Sequence, residues 1–121
     1  MSLEELKRIA EVEFSPIVSF TEYLGSKLRI QLGDGSFVDV HLSQTIQGRL
    51  AFHWERRHID GALFRIDNFP DTRWKGVGTF PYHFHNGTED RVNASPYPKE
   101  VIPCFRAFMD EVLRKLKYPI S

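Results

Sequence analysis

Two runs of alternating apolar and polar residues, joined by a short turn, constrain the fold of this chain more than any other feature. Aliphatic residues take every second position, at Leu28, Ile30 and Leu32 in the first run and at Val38, Val40 and Leu42 in the second. The turn, residues 33–36, reads Gly-Asp-Gly-Ser. Because successive side chains of a strand point to opposite faces, the pattern predicts a β-hairpin with one apolar face and one polar face.

Further strands are predicted on both sides of this hairpin. A second hairpin is expected over residues 50–67, where Asp60-Gly61 provides the turn. The residues with core parity in its two strands are Leu50, Phe52 and Trp54 in the first and Phe64 and Ile66 in the second. Residues 17–24 are rich in β-branched and aromatic side chains and predict an earlier strand, and residues 80–85 predict an extended segment before an Asn-Gly turn.

Helices are predicted at both ends of the chain. Ser2 and Glu5 have the spacing of a capping box and indicate a helix over residues 3–13. Pro103 suits the first turn of a second helix, expected from Pro103 to Lys117. The apolar stripe of this helix consists of Phe105, Phe108, Met109, Val112, Leu113 and Leu116. We therefore expect one α+β domain over residues 1–121, an antiparallel β-meander of five to six strands packed on the C-terminal helix, with a short N-terminal helix.

Charge and composition exclude several classes of protein. Sixteen basic and sixteen acidic residues give a formal net charge of zero, without the global positive field of a nonspecific nucleic-acid binder. Cys104 is the only cysteine, which excludes an internal disulfide and suits a reducing compartment. No run of eighteen apolar residues occurs, so we expect a soluble cytoplasmic protein without membrane contact. The absence of a phosphate-binding glycine loop, a nucleophile elbow and a His-Glu-x-x-His helix argues against kinases, P-loop hydrolases and zincin proteases.

The polar face of the meander is the first candidate site. Strand parity places seven polar residues on it, namely Arg29, Asp39, His41, His53, Glu55, Arg65 and Asp67. Such a set is typical of a functional surface. It is equally expected of a sheet that packs one face on the core and exposes the other to water.

A His-x-His pair forms the second candidate. In an extended segment His83 and His85 point to the same side, where they can chelate a divalent ion or act as an acid and a base. A zinc site needs a third protein ligand, for which His53, Glu55 and Asp67 are candidates. Exposed or hydrogen-bonded structural histidines are the common alternative, and we expect no bound metal.

Arg65, Asp67 and Asn68 are open to two interpretations. Arg65 can clamp a phosphate through two donors, while Asp67 orients a histidine. The alternative is a local ion pair followed by an ordinary turn residue, Asn68.

Basic and aromatic residues also alternate in the two loops that flank the return strand of the second hairpin. They are Arg56, Arg57 and His58 in one loop, Arg73 and Lys75 in the other, and the nearby Trp54 and Trp74. Cations interleaved with aromatic rings suit single-stranded nucleic acid, whereas a solvated loop is the ordinary explanation.

Three short motifs together resemble the TumE-like family. They are His53-Trp54, then Arg65-Ile66-Asp67-Asn68 with Pro70 close behind, and Phe80-Pro81-Tyr82-His83-Phe84-His85 with a later Ser95. The resemblance covers mainly residues 26–97. Family members tend to have a histidine where Tyr82 stands, which argues against a three-histidine metal site and leaves an acid–base role intact.

The resemblance implies a prokaryotic toxin of a toxin–antitoxin module, with a helix-turn-helix antitoxin as its partner. We hypothesise a metal-independent ribonuclease without a cofactor, in which Asp67 fixes a histidine tautomer. Its catalytic residues would be His53, Arg65, Asp67, His83 and His85, and its binding residues Glu55, Asn68, Arg73, Trp74 and Lys75. A non-catalytic module that binds RNA, a nucleotide or a protein is the main alternative. A metal-dependent hydrolase that uses His83 and His85 is the third hypothesis, and the sequence leaves the oligomeric state open.

Overall fold

A computed structural model describes residues 2–117 of the chain. The described residues form three α-helices and seven strands, together with one turn of 3₁₀ helix after the fifth strand. In chain order they are α1 (Leu3–Glu13), β1 (Val18–Leu24), β2 (Lys27–Leu32), β3 (Phe37–Leu42), β4 (Leu50–Arg56), α2 (Arg57–Asp60), β5 (Ala62–Asp67), the 3₁₀ turn (Thr72–Trp74), β6 (His83–Gly87), β7 (Val92–Asn93) and α3 (Val101–Lys117).

The strands form one antiparallel sheet in which each strand pairs with the next along the chain. This confirms the predicted α+β meander. Residues 2–117 contain seven strands rather than five to six, because β7, only two residues long, pairs with Phe84 and His85 of β6. Two residues are too few to produce a recognisable alternation.

The loop predicted after Arg56 is wrong in detail, because the chain forms a single helical turn there. Gly61 ends this turn with a φ of 80°, a left-handed conformation that glycine adopts without the steric cost of a side chain. The turn closes the second hairpin and carries Arg57 to the polar face, beside Glu55.

Both terminal helices are present. Ser2 and Glu5 make the predicted capping box at the start of α1. The C-terminal helix, α3, begins at Val101, two residues before the predicted start. Pro103 lies in its first turn, where a backbone N–H would have no partner within the helix. No helix within residues 2–117 is both long enough and apolar enough to cross a membrane.

The core lies between the apolar face of the sheet and the helices α1 and α3. Phe52, fully buried, packs edge-on against Phe105 and Phe108 of α3, with ring centroids 5.4 and 6.1 Å away. Cys104 is buried among these residues, and this burial raises the pKa of its thiol to about 12. Because the helices cover one face, the polar side chains of the strands are presented on the other.

Candidate active site

A row of polar side chains crosses the sheet on the face away from the helices. Its members lie directly opposite one another on five neighbouring strands, in the order Arg29, Asp39, His53, Arg65 and His85. The predicted strand parity is therefore confirmed for this row. The antiparallel register also brings His85, which is distant in sequence, next to Arg65.

Arg65 is the centre of the row. Its Nη1 lies 3.2 Å from Nδ1 of His53, and its Nη2 lies 3.2 Å from Nε2 of His85. Its Nε donates to Oδ2 of Asp67 at 3.3 Å. Since a guanidinium only donates, both facing histidine nitrogens act as acceptors and carry no proton.

Glu89, which the sequence analysis did not identify, covers the outer side of Arg65. Its two carboxylate oxygens accept from Nη1 and Nη2 of Arg65 at 2.8 and 2.7 Å. This bidentate contact lowers the pKa of Glu89 to about 2. Glu89 lies in the turn between β6 and β7, and no motif marks it, because its position depends on how β6 aligns with β5.

Glu55 fixes the ring of His53. The Nε2–H of His53 donates to Oε1 of Glu55 at 3.0 Å, which leaves Nδ1 as the unprotonated nitrogen that faces Arg65. Hydrogen bonds from Arg57 are the main cause that lowers the pKa of Glu55 to about 2, so this carboxylate stays ionised. The predicted orienting role of Asp67 therefore belongs, for His53, to Glu55.

Backbone carbonyls fix the rings of the His-x-His pair. The Nδ1 atoms of His83 and His85 lie 3.1 Å from the carbonyl oxygen of Pro81 and 2.8 Å from that of Glu89. Both Nε2 atoms therefore turn toward Asp67, whose carboxylate oxygens lie 3.1 Å from His83 and 3.9 Å from His85. Burial is the main cause that lowers the pKa of His85, and the charge of Arg65 adds to it.

Three of these residues could hold a metal ion. Asp67, His83 and His85 are buried, and one ligand atom from each lies within 4.8 Å of the other two. Of the third ligands that the sequence allowed, Asp67 is the one brought to the pair. His53 and Glu55 bond to each other instead.

A cavity of about 210 Å³ opens beside this group. It is lined by Arg65, Asp67, Phe69, Asp71, Arg73, Trp74, His83 and His85. The ring of Trp74 packs on the two imidazoles, with centroids 6.3 Å from His83 and 6.2 Å from His85. Its Nε1 is shielded from solvent and has no hydrogen-bond partner within residues 2–117.

A larger cavity, of about 640 Å³, lies between the start of α1 and the β3–β4 loop. Of the described residues that line it, only Arg49 is charged. Because acid–base and phosphate chemistry needs converging titratable groups, the smaller cavity is the better candidate.

Two other predicted binding residues make contacts within the fold. The side chain of Asn68 accepts from the backbone N–H of Leu50 at 2.9 Å and donates to the carbonyl of Gly48 at 2.8 Å. Arg73 pairs with Asp71 at 2.7 Å, at the rim of the cavity. Lys75 is exposed where the 3₁₀ turn ends.

The arginines expected in a basic patch are matched by acids. Arg57 bonds to Glu55, and Arg56 bonds to Asp34 and Asp60. The Nε2 of His58 lies 2.8 Å from the carbonyl oxygen of Gly35, and its ring stacks on Phe37. Trp54 is buried in the core, as its parity predicted, and cannot stack on a base.

The fold and the site together define a small α+β protein with a histidine- and arginine-centred polar site on the open face of its sheet. The chain belongs to the toxin TumE family, whose model matches residues 4–116. This match extends well beyond the range 26–97 that the motifs covered, and it gives the chain a toxin-like role with an antitoxin as the expected partner. No curated protein and no solved structure matched the chain.

Proposed function

We propose that this toxin cleaves RNA by acid–base chemistry at the site centred on Arg65. The observation that carries the proposal is the arrangement of His53 and His85 on either side of the Arg65 guanidinium, each with an unprotonated nitrogen toward it. Two acceptor imidazoles beside an arginine fork suit a phosphodiester, whose attacking and leaving oxygens lie on opposite sides of phosphorus.

The position of the Glu89 carboxylate indicates how a phosphate would bind. If two phosphate oxygens replaced the two carboxylate oxygens of Glu89, the phosphorus would lie in front of Nη1 and Nη2 of Arg65, the atoms that His53 and His85 contact. The guanidinium would then stabilise the negative charge that develops in the transition state. Trp74 borders the same cavity and offers an apolar surface next to it.

His53 is the proposed general base. Its Nδ1 takes the proton of a ribose 2′-hydroxyl, the 2′-oxygen forms a bond to phosphorus, and the bond from phosphorus to the 5′-oxygen breaks. Glu55 holds the ring and stabilises the imidazolium that forms, as a carboxylate does behind the histidine of a catalytic triad. His83, His85 and Asp67 line the cavity on the side of the leaving 5′-oxygen. This oxygen takes a proton from a water molecule and ends as a hydroxyl, and the proton on His53 returns to the solvent.

Replacing His53 with alanine tests this assignment. We expect RNA cleavage to fall by about 10²–10⁴-fold, the usual contribution of a positioned general base. Growth inhibition on induced expression should disappear in parallel. The matched control is His41→Ala, which removes a histidine from the same face of the sheet and should cleave like the unchanged protein.

Cleavage that is equal in His53→Ala and in the unchanged protein would refute the role of His53. RNA that binds to the unchanged protein with strong salt dependence but yields no products would instead establish the non-catalytic module. A filter-binding assay at two salt concentrations, run beside the cleavage assay, separates these outcomes.

Glu89→Gln is expected to improve anion binding. The amide keeps the size of the side chain but loses the charge that competes for Arg65, so inorganic phosphate should bind about two- to fivefold more tightly, in line with the modest strength of an exposed ion pair. Calorimetric titration with phosphate measures the change. Glu13→Gln is the control, because Glu13 makes a similar bidentate pair with Arg106 far from the site. Weaker phosphate binding by Glu89→Gln would contradict this prediction.

A further inference from the structure

We propose that Asp67, His83 and His85 together bind one divalent transition-metal ion. The inference goes beyond RNA cleavage, because it depends on the donor atoms alone and holds whatever the substrate is. It also departs from the expectation of a metal-free site that the sequence supported.

The spacing of the donor atoms suits a single ion. Asp67 oxygens lie 3.1 Å from Nε2 of His83 and 3.9 Å from Nε2 of His85. Tetrahedral ligands that are each about 2.0–2.2 Å from zinc lie about 3.3–3.6 Å from one another. One donor atom from each residue lies within 4.8 Å of the other two, so the side chains would close in by about an ångström to bring all three donors to one ion.

The outer contacts of the two imidazoles resemble those of metal ligands. A ligating histidine usually donates its other ring N–H to a carbonyl or carboxylate, which fixes the tautomer and aims the lone pair at the ion. Pro81 and Glu89 provide such carbonyl oxygens for His83 and His85. Both rings are thus held with Nε2 on the side of the same carboxylate, which is the arrangement that coordination of one ion requires.

His83 provides an independent reason. Its Nδ1 faces the Pro81 carbonyl and its Nε2 faces the Asp67 carboxylate, so both nitrogens face acceptors. A neutral imidazole has only one N–H and cannot satisfy both acceptors. A cation between Nε2 and the carboxylate would leave the Nδ1–H bonded to Pro81, while Nε2 and Asp67 both act as ligands.

Arg65 opposes the ion, because its guanidinium occupies lone pairs of His85 and Asp67. These contacts, at 3.2 and 3.3 Å, are longer than the contacts at 2.7 and 2.8 Å to Glu89. The contacts to Glu89 are already short, so Arg65 and Glu89 would move outward together to release both ligands. We therefore expect the ion and Arg65 to compete for the same atoms.

Two imidazoles and one carboxylate are a donor set that suits zinc, manganese or iron. Three protein ligands leave coordination positions open, and the adjoining cavity gives room for a water molecule or a substrate oxygen. An ion there would stabilise the charge on the leaving 5′-oxygen. This catalytic role rests on the proposed function, but the binding of the ion is independent of it.

Zinc titration of the protein tests the site directly. Protein purified without a histidine tag and dialysed against a chelator is titrated with ZnCl₂ in a calorimeter. We expect one equivalent to bind, with affinity lowered at least about tenfold in Asp67→Asn. His41→Gln, which removes a histidine from the same face, should bind like the unchanged protein.

A gain-of-binding variant covers the risk that Asp67→Asn fails to fold. Arg65→Gln removes the competing charge and should bind zinc more tightly than the unchanged protein, a result that misfolding cannot produce. No stoichiometric binding by the unchanged protein, or equal binding by Asp67→Asn in its folded form, would overturn the proposal. The test uses no RNA, so its failure would leave the roles of His53 and Arg65 in cleavage untouched.

Discussion

Arg65→Lys is expected to reduce RNA cleavage by about 10²–10³-fold, the usual cost of losing a donor that stabilises transition-state charge. Lysine keeps the positive charge, but it is a compact point charge and cannot form a fork toward two phosphate oxygens. It also cannot contact His53 and His85 at once, as the two terminal nitrogens of Arg65 do. Single-turnover cleavage of an end-labelled RNA measures the loss.

Arg106→Lys is the matched control for this prediction. Arg106 makes a bidentate pair with Glu13 at the helices, so the same substitution alters a similar ion pair away from the site. We expect its cleavage rate to equal that of the unchanged protein. Thermal melting of both variants shows whether they are folded, and a folded Arg65→Lys protein with full activity would refute the role of Arg65.

Phe52→Ala is expected to lower the free energy of unfolding by about 3–5 kcal/mol, as is typical when a buried aromatic ring is removed and a cavity remains. Phe52 is fully buried and contacts Phe105 and Phe108, so its loss weakens the attachment of α3 to the centre of the sheet. Urea denaturation measures the change. A loss of this size is a large part of the stability of an ordinary small domain.

Phe20→Ala is the control for Phe52→Ala. Phe20 lies on β1 and is 54% exposed, so the same substitution should change the free energy of unfolding by no more than about 0.5 kcal/mol. Equal effects of the two substitutions would contradict the assignment of the core face. Because His53 is the neighbour of Phe52 on the opposite face, the pair also tests the strand parity on which the site depends.

The sheet and its polar face were predictable because they follow from local alternation. Parity along single strands placed His53 and Arg65 on one face and Phe52 and Trp54 on the other. Antiparallel pairing of successive strands then placed His53 and Arg65 opposite each other. The side shared by His83 and His85 was also predictable, since residues two apart in a strand point the same way. These features need no knowledge of distant contacts.

The residues that complete the site from the loops were not predictable. Glu89 reaches Arg65 from the β6–β7 turn, and Trp74 reaches the imidazoles from the 3₁₀ turn. Neither approach leaves a periodic pattern. Loop cations such as Arg57 seemed available for nucleic acid, but the short helix α2 places Arg57 beside Glu55, and only the folded chain reveals the pair.

The choice between carboxylates also required the structure. Asp67 lies two residues from Arg65 on the same face, so sequence spacing favoured it as the group that orients a histidine. The register instead places Asp67 opposite His83 on β6, while Glu55 reaches His53 along β4. Spacing along one strand indicates which residues share a face, whereas the pairing of strands determines which of them touch.

Cleavage of one labelled RNA and of the same RNA with a single 2′-deoxy nucleotide is the most direct test of the central claim. Attack by a 2′-hydroxyl that His53 deprotonates leaves a 2′,3′-cyclic phosphate and a 5′-hydroxyl, and it cannot occur at a deoxy position. We therefore expect the unchanged protein to cleave the all-ribose strand with these ends and to spare the bond after the deoxy nucleotide. Absence of cleavage, or cleavage at the deoxy position, would contradict the account.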